Sequence, residues 1–386
     1  MLRPLRLLLT AVAVTGLVSA CAPVPPRTAP EPGTLLLDTL FYISARAREE
    51  GRAVVRLADT LEYGLVISEQ SVRRDPHEGS VDFVVVDSVR LTRSEFVTAL
   101  RARTVTASDT SAFAVFYTHG FGTSLREAWQ HSASSGLRSR GTQPWVVFAW
   151  PSIGSGVAIP TTGDPFHTAY RLDSTSAVAS RGSYARALTA VHEAVGGSRL
   201  LMVAHSLGGQ LVGETLMADT VLRGALSRDP LRALAFVSPD VNAEHFGDVL
   251  VPSVRPLTHR LVLYASADDR VLFMSQVVND SERAGRIARA RIGALVRGGL
   301  ETVDMTDGAY ADSPFIHAFG TRHALRRKSG ALFDIIQIVG GRQDPLCRET
   351  LGTAQRLSTG VWKLRAGTLP ALSELARCAP TAFAPR

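Results

Sequence analysis

Lysine and cysteine are scarce in this sequence, which has two lysines, Lys328 and Lys363, and three cysteines among 386 residues. Arginine therefore supplies nearly all of the positive charge behind the formal net charge of +7. The arginines are scattered and do not form the basic stripe with interleaved aromatic residues that is typical of nucleic-acid binding, so we expect no nucleic-acid partner. The histidines do not cluster either, and His192 has no second histidine at helical spacing. We therefore expect neither a metal ion nor another cofactor.

The first 20 residues have the pattern of a secretory signal peptide. Arg3 and Arg6 precede an apolar stretch, Leu7 to Val18, which is too short to span a bilayer. Small residues then lead into Cys21, as in the bacterial lipobox, where the cysteine becomes the acylated first residue of the mature chain. We expect Cys21 to anchor the protein to a membrane surface in the bacterial cell envelope. Ala22 lacks the acidic signal for inner-membrane retention, which favours the outer membrane, facing the periplasm.

The rest of the chain divides into three parts by composition. Residues 21–34 are rich in proline and predict an extended tether. Residues 35–342 have a globular pattern, and residues 343–386 read as a C-terminal tail. An exported protein lies in an oxidising compartment, so Cys347 and Cys378 are predicted to form a disulfide across this tail.

Short apolar runs alternate with helical patterns through the globular part. The earlier runs, Leu35 to Ser44, Gly64 to Ser68 and Val81 to Val86, also read as strands. The later runs are almost continuously apolar: Phe113 to Thr118, Trp145 to Trp150, Leu200 to Ala204, Ala233 to Val237, Leu261 to Ala265 and Leu300 to Met305. Such runs separated by helices predict an α/β fold with a mostly parallel sheet covered by helices on both faces.

One of these strands leads directly into a candidate nucleophile. The sequence LLMVAHSLGG, residues 200–209, reads as a strand, a tight turn and the start of a helix. This geometry presents the Ser206 hydroxyl at the end of a buried strand, where a serine commonly acts as a nucleophile. The motif has Ala204 in place of the first glycine of G-x-S-x-G, and alanine is the least disruptive replacement where strand and helix crowd together.

A nucleophilic serine works with a base and an acid in a catalytic triad. These two residues should follow Ser206 in the order Asp, then His. The loop after the strand at 261–265 contains Asp268 and Asp269, and we prefer Asp269. Asp240, after the preceding strand, is a further candidate, and any of the three could instead cap a helix or a turn. Two histidines, His317 and His323, follow the last strand, and we prefer His323 because it lies shortly before the last helix.

An oxyanion hole requires two backbone N–H groups. The residue after the nucleophile, Leu207, is predicted to supply one of them. The loop after the strand at 113–118, His119-Gly120-Phe121-Gly122, is predicted to supply the other from Phe121, while His119 supports the loop and is not the base.

These residues carry a family resemblance. The chain resembles the DUF900 family of α/β-hydrolase-fold proteins over roughly residues 36–340, in five segments: YTHGF at 117–121, FAWPSIG at 148–154, AHSLGG at 204–209, SPDV at 238–241 and YASADDRVL at 264–272. The resemblance accounts for Ala204 and supports Asp269 over Asp268, whereas the aromatic residue that the family has after its last histidine is missing after His323.

The resemblance implies a serine hydrolase but no substrate. The leading hypothesis is a lipid-anchored hydrolase that cleaves an ester or related acyl bond of a small molecule or a lipid. A non-catalytic envelope scaffold or binding protein on the same fold is an alternative, because a fold alone does not determine function. Acyl transfer to an acceptor other than water would use the same residues and is a third hypothesis.

Overall fold

The structure is a computed structural model that describes residues 35–72, 81–105, 111–138, 142–154, 165–286, 299–307, 323, 329–367 and 369–380. The predicted signal peptide, the tether with the lipidation residue Cys21, and the alternative base His317 lie outside these residues. Within the described part of the chain, no helix is both long enough and apolar enough to cross a membrane.

The described residues contain eleven strands that form one sheet. Their bounds are β1 Leu35–Glu49, β2 Arg52–Val72, β3 Val81–Leu91, β4 Ala114–Thr118, β5 Trp145–Ala149, β6 Leu200–His205, β7 Ala233–Val237, β8 Leu261–Ala265, β9 Glu301–Asp304, β10 Ala354–Ser358 and β11 Val361–Leu364. The spatial order is β10-β11-β9-β8-β7-β6-β4-β5-β1-β2-β3. Pairing is parallel from β11 across to β1, and antiparallel only where β10, β2 and β3 extend the two ends.

Helices cover both faces of this sheet. Their bounds are α1 Arg93–Thr104, α2 Leu125–Arg138, α3 Pro165–Ala179, α4 Arg181–Val195, α5 Leu207–Ala218, α6 Thr220–Arg228, α7 Arg270–Asn279, α8 Ser329–Phe333, which continues as a π-helix over Asp334–Gly340, and α9 Cys347–Thr350. A further helical segment covers residues 243–257. Residues of α1 and of α3 to α6 pack on one face, whereas α2 and α8 pack on the other.

The apolar runs of the central strands follow from burial on both faces. Every residue of β4, β5, β6, β7 and β8 is buried. Along β6, Leu200, Met202 and Ala204 face one core, and Leu201 and Val203 face the other. Alternate side chains of a strand point to opposite faces, so a strand covered on both sides must be apolar throughout. The predicted mostly parallel α/β sheet is confirmed.

Strand β2 is much longer than the predicted run Gly64–Ser68. Its first half mixes charged and apolar residues and is partly exposed, so no regular apolar pattern marks it. Hydrogen bonds to β1 and polar side chains hold this extension instead: Glu62 accepts from the Tyr42 hydroxyl at 2.8 Å and from Arg48 Nη2 at 2.6 Å.

Residues beyond 343 form part of the sheet, which corrects the predicted boundary between domain and tail. β11 pairs in parallel with β9, and β10 adds the edge strand. Strands of four and five residues, one of them mostly exposed, have too little apolar pattern to be recognised from the sequence. Cys347 and Cys378 are joined by a disulfide with a Cα–Cα distance of 5.1 Å, which ties the short 3₁₀ helix Leu372–Arg377 to α9.

Candidate active site

Ser206 lies at a sharp turn between β6 and α5, with φ 55° and ψ −125°. A non-glycine residue in this conformation costs on the order of 1–3 kcal/mol and persists only where its surroundings hold it. Here the Ser206 amide donates to the Val237 carbonyl at 3.0 Å, and the Ser206 carbonyl accepts from the Asp240 and Gly209 amides at 3.1 and 2.8 Å. The neighbouring strand β7, the loop that follows it and the helix α5 thus all fix its backbone.

Two glycines allow the loop after β4 to cross this turn. A Cβ on Gly120 would lie 2.6 Å from the Ser206 Cβ, and a Cβ on Gly208 would lie 2.5 Å from the His119 carbonyl oxygen. Both separations are shorter than any real contact of a Cβ, so a side chain at either position would push the loop away from Ser206. This close packing gives a physical reason for the small residues that flank the serine in the sequence.

Asp269 and His323 lie in contact at the same edge of the sheet. Asp269 Oδ2 is 2.8 Å from His323 Nδ1, and the carboxylate is fully buried. The other oxygen, Oδ1, accepts from the Leu272 amide at 3.1 Å and caps α7. Asp269 therefore both caps a helix and binds a histidine. Because a carboxylate accepts, the proton of a neutral His323 lies on Nδ1, which leaves Nε2 as an acceptor.

The structure does not contain a hydrogen bond between Ser206 and His323. Ser206 Oγ and His323 Nε2 are both buried, and neither has a hydrogen-bond partner among the described residues. In enzymes without substrate the hydrogen bond between nucleophile and base is often long and tightens on binding.

The other candidate acids have different partners. Asp240 Oδ1 accepts from the Ser275 hydroxyl at 2.6 Å and lies 3.2 Å from Arg283 Nε. Burial raises the pKa of Asp240, and the charge of Arg283 partly opposes that rise. Asp268 Oδ1 accepts from the Ser266 hydroxyl at 2.7 Å. Of the predicted acids, Asp269 is the one that the structure places against His323.

The predicted oxyanion loop is held by two side chains that the sequence patterns did not indicate. Asp173, on α3, is buried and accepts from the Gly122 amide at 2.9 Å, from the Ile153 amide at 2.7 Å and from the Ser152 hydroxyl. Ser152 Oγ accepts in turn from the Thr123 amide at 2.9 Å. These bonds join the loop after β4 to the loop after β5 and position the segment that contains Phe121.

Arg46, at the end of β1, is the second of these side chains. Its Nη2 donates to the carbonyls of Thr123 at 2.6 Å and Ser152 at 2.8 Å. Burial lowers the pKa of Arg46 to about 10, which still leaves it charged at neutral pH. Neither Arg46 nor Asp173 lies in a recognisable motif, and each meets the loop only through the tertiary fold.

His119 also supports the loop that contains Phe121. Its ring stacks on Trp150 at 5.0 Å, its Nδ1 donates to the Gly120 carbonyl at 2.9 Å, and its own carbonyl accepts from Trp150 Nε1 at 2.9 Å. Burial lowers the pKa of His119 to about 3, so the ring is neutral. These contacts agree with the predicted supporting role.

The described residues include no group of three or more histidine, cysteine, aspartate or glutamate side chains that could hold a metal ion.

The fold and this edge of the sheet define the class of the protein. A mostly parallel sheet with a serine on a strand–turn–helix elbow, followed in the chain by an aspartate and a histidine in contact, is typical of α/β hydrolases. The sequence profile of the family described as alpha/beta hydrolase of unknown function (DUF900) matches residues 94–321, more than half of the chain. The protein belongs to the DUF900 family.

Solved structures of other proteins align with this chain at low identity and low TM-score. An esterase from Pyrobaculum calidifontis is 11% identical with a TM-score of 0.33, over 86% of this chain and 90% of the esterase. An arylesterase is 12% identical with a TM-score of 0.28, over 84% and 90%. Dipeptidyl peptidase 4 from Porphyromonas gingivalis is 14% identical with a TM-score of 0.27, over 71% of this chain and 42% of the peptidase. No curated protein matches the sequence.

Proposed function

We propose that this protein is a serine hydrolase that cleaves an ester or a related acyl bond. The observation that carries the proposal is the 2.8 Å contact between Asp269 and His323 at the edge of the sheet where Ser206 occupies a strained elbow. Three groups with these chemical properties, in this chain order, form the triad of α/β hydrolases.

In the first half of the reaction Ser206 Oγ attacks the acyl carbon of the substrate. His323 Nε2 takes the hydroxyl proton as the Oγ–C bond forms, and then gives that proton to the leaving alcohol as the C–O bond breaks. In the second half a water molecule attacks the acyl-serine, His323 takes its proton, and Ser206 Oγ leaves with a proton returned from His323. Asp269 keeps the imidazole in the tautomer that can accept and stabilises the imidazolium.

Backbone N–H groups stabilise the negative oxygen that forms in both halves. We assign this role to the amides of Leu207 and Phe121, on either side of the contact between Gly120 and Ser206. Loss of one donor from such a site costs about 10²–10³-fold in kcat. The buried bonds from Asp173 and Arg46 support this function because they limit the movement of the loop.

Chemical labelling and ester hydrolysis test the proposal. Wild type should react with a fluorophosphonate probe and hydrolyse p-nitrophenyl acetate. Ser206→Ala should abolish labelling and lower kcat by about 10⁴–10⁶-fold. Ser238→Ala is the matched control, because Ser238 is also buried, follows the next strand and has a positive φ of 43°. Equal labelling of wild type and Ser206→Ala would contradict the proposal.

A non-catalytic binding protein on the same fold is the second candidate. The observation that favours it is that Ser206 Oγ and His323 Nε2 do not bond to each other. Folded wild type that neither reacts with the probe nor hydrolyses the ester would support this candidate. Acyl transfer to a different acceptor would give probe labelling, and analysis of the reaction products in the presence of alcohols would identify it.

We further propose that the hydrolase acts at a membrane surface in the bacterial cell envelope, anchored through acylated Cys21, at the outer membrane facing the periplasm. The sequence around Cys21 supports this proposal. Cell fractionation tests it: wild type should sediment with membranes, and Cys21→Ala should not carry a lipid that mass spectrometry can detect. An unmodified Cys21 in wild type would contradict it.

A further inference from the structure

His205 connects the nucleophile elbow to the candidate base. It is the last residue of β6, directly before Ser206, and its side chain is buried. Its ring centroid lies 4.7 Å from that of His323, and its Nε2 lies 3.0 Å from the His323 carbonyl oxygen. Because a carbonyl oxygen can only accept, Nε2 carries the proton and donates.

Burial keeps this imidazole neutral. It lowers the pKa of His205 well below the ordinary value, and the nearby His323 lowers it further. A neutral ring with its proton on Nε2 has an unprotonated Nδ1, so the side chain is a single donor that points at the His323 main chain. The neutral state also suits the proposed reaction, because His323 must become an imidazolium beside it.

His323 is therefore held at two points by two different strand ends. Asp269, after β8, binds its ring, and His205, at the end of β6, binds its main chain. The ring contact sets the tautomer, whereas the contact from His205 bears on the main chain. The second contact links His323 to the strand that bears Ser206.

We infer that His205 is a positioning residue that sets the placement of His323 relative to Ser206. The inference rests on the proposed function insofar as that placement matters for hydrolysis. Its physical basis is the sensitivity of proton transfer to geometry, since a displacement of about 1 Å can cost 10²-fold in rate. His205 contributes this hydrogen bond to the main chain of His323, whereas the proposed proton transfer uses His323 Nε2.

Two substitutions separate this hydrogen bond from simple packing. His205→Phe keeps a ring of similar size but has no donor, whereas His205→Gln has an amide N–H at about the reach of Nε2. We expect His205→Phe to lower kcat for p-nitrophenyl acetate by about 10- to 100-fold with KM changed less than about twofold. We expect His205→Gln to restore most of the activity. Equal loss in both folded variants, or no loss in His205→Phe, would overturn the inference.

An NMR measurement tests the placement without using activity. The His323 Nδ1 proton, bonded to a buried carboxylate, should give a far-downfield resonance that is absent in His323→Ala. The resonance should persist in His205→Gln and disappear or broaden in His205→Phe, and its persistence in both would overturn the inference. If His205→Phe does not fold, His205→Asn, whose amide is too short to reach, should behave as predicted for His205→Phe. If wild type proves inactive, the proposed function fails while this measurement still decides the role of His205.

Discussion

Asp269→Asn tests the relation between Asp269 and His323 most directly. In the structure Oδ1 of Asp269 is occupied by the Leu272 amide at 3.1 Å, and Oδ2 faces His323 Nδ1 at 2.8 Å. An asparagine can keep the first bond through its carbonyl oxygen, but its NH₂ group then faces a ring nitrogen that is itself a donor. The ring relieves this clash by moving its proton to Nε2, which then cannot accept a proton from Ser206.

The expected loss of activity is therefore large although the change involves few atoms. A carboxylate-to-amide change at this place in a triad lowers kcat by about 10⁴-fold, which corresponds to about 5 kcal/mol of transition-state stabilisation. Stability should change little, because asparagine and aspartate are equivalent helix caps, and we expect the free energy of unfolding to stay within about 1 kcal/mol. Steady-state kinetics with p-nitrophenyl acetate and urea unfolding measure the two effects.

Asp268→Asn is the matched control, because Asp268 adjoins Asp269 and bonds to Ser266. It should retain activity near that of wild type. Two results would refute the reasoning: a folded Asp269→Asn variant with more than about a tenth of the wild-type kcat, where 10⁴-fold loss is expected, or an equal loss in Asp268→Asn. The second result would assign the role to the loop as a whole.

Three further predictions concern packing, charge and the covalent link. Gly120→Ala should destabilise the protein by about 1–3 kcal/mol and lower kcat, because its Cβ would lie 2.6 Å from that of Ser206; unchanged urea unfolding would contradict this. Burial would raise the pKa of Glu301, but Arg348 and a second arginine lower it to about 2. This carboxylate should therefore contribute stability that is present above about pH 4.5 and is lost as the pH falls toward 2. Arg348→Met should cost about 3–5 kcal/mol at neutral pH and flatten that acid dependence in thermal unfolding scans. Cys378→Ser opens a loop that spans a sequence separation of 31 and should cost about 3–4 kcal/mol, which chemical denaturation with and without a reductant measures; equal stability of the variant and the wild type would contradict it.

Local features of the sequence carry most of the fold and the nucleophile. The central strands could be predicted because burial on both faces makes them apolar throughout, and that pattern is visible residue by residue. The elbow could be predicted because the steric need for glycine near Ser206 is also local. The first half of β2 and the short strands β10 and β11 could not, because their mixed or brief side-chain patterns do not mark them as strands; antiparallel pairing with the adjacent strand of the chain, and for β11 parallel pairing with β9, holds them in the sheet.

The candidate site likewise has one part that the sequence predicts and another that only the folded structure reveals. The order Ser206, Asp269, His323 follows from the order of strands in the chain, so the sequence by itself determined which residues compete for each role. Only the tertiary structure decided that Asp269 meets His323, while Asp240 pairs with Arg283. It also decided which side chains hold the surrounding segments, namely His205, Asp173 and Arg46. The physical reason is that a hydrogen bond from a side chain to a residue 54 or 118 positions away leaves no periodic trace in the sequence and forms only when the folded sheet brings its strand ends together.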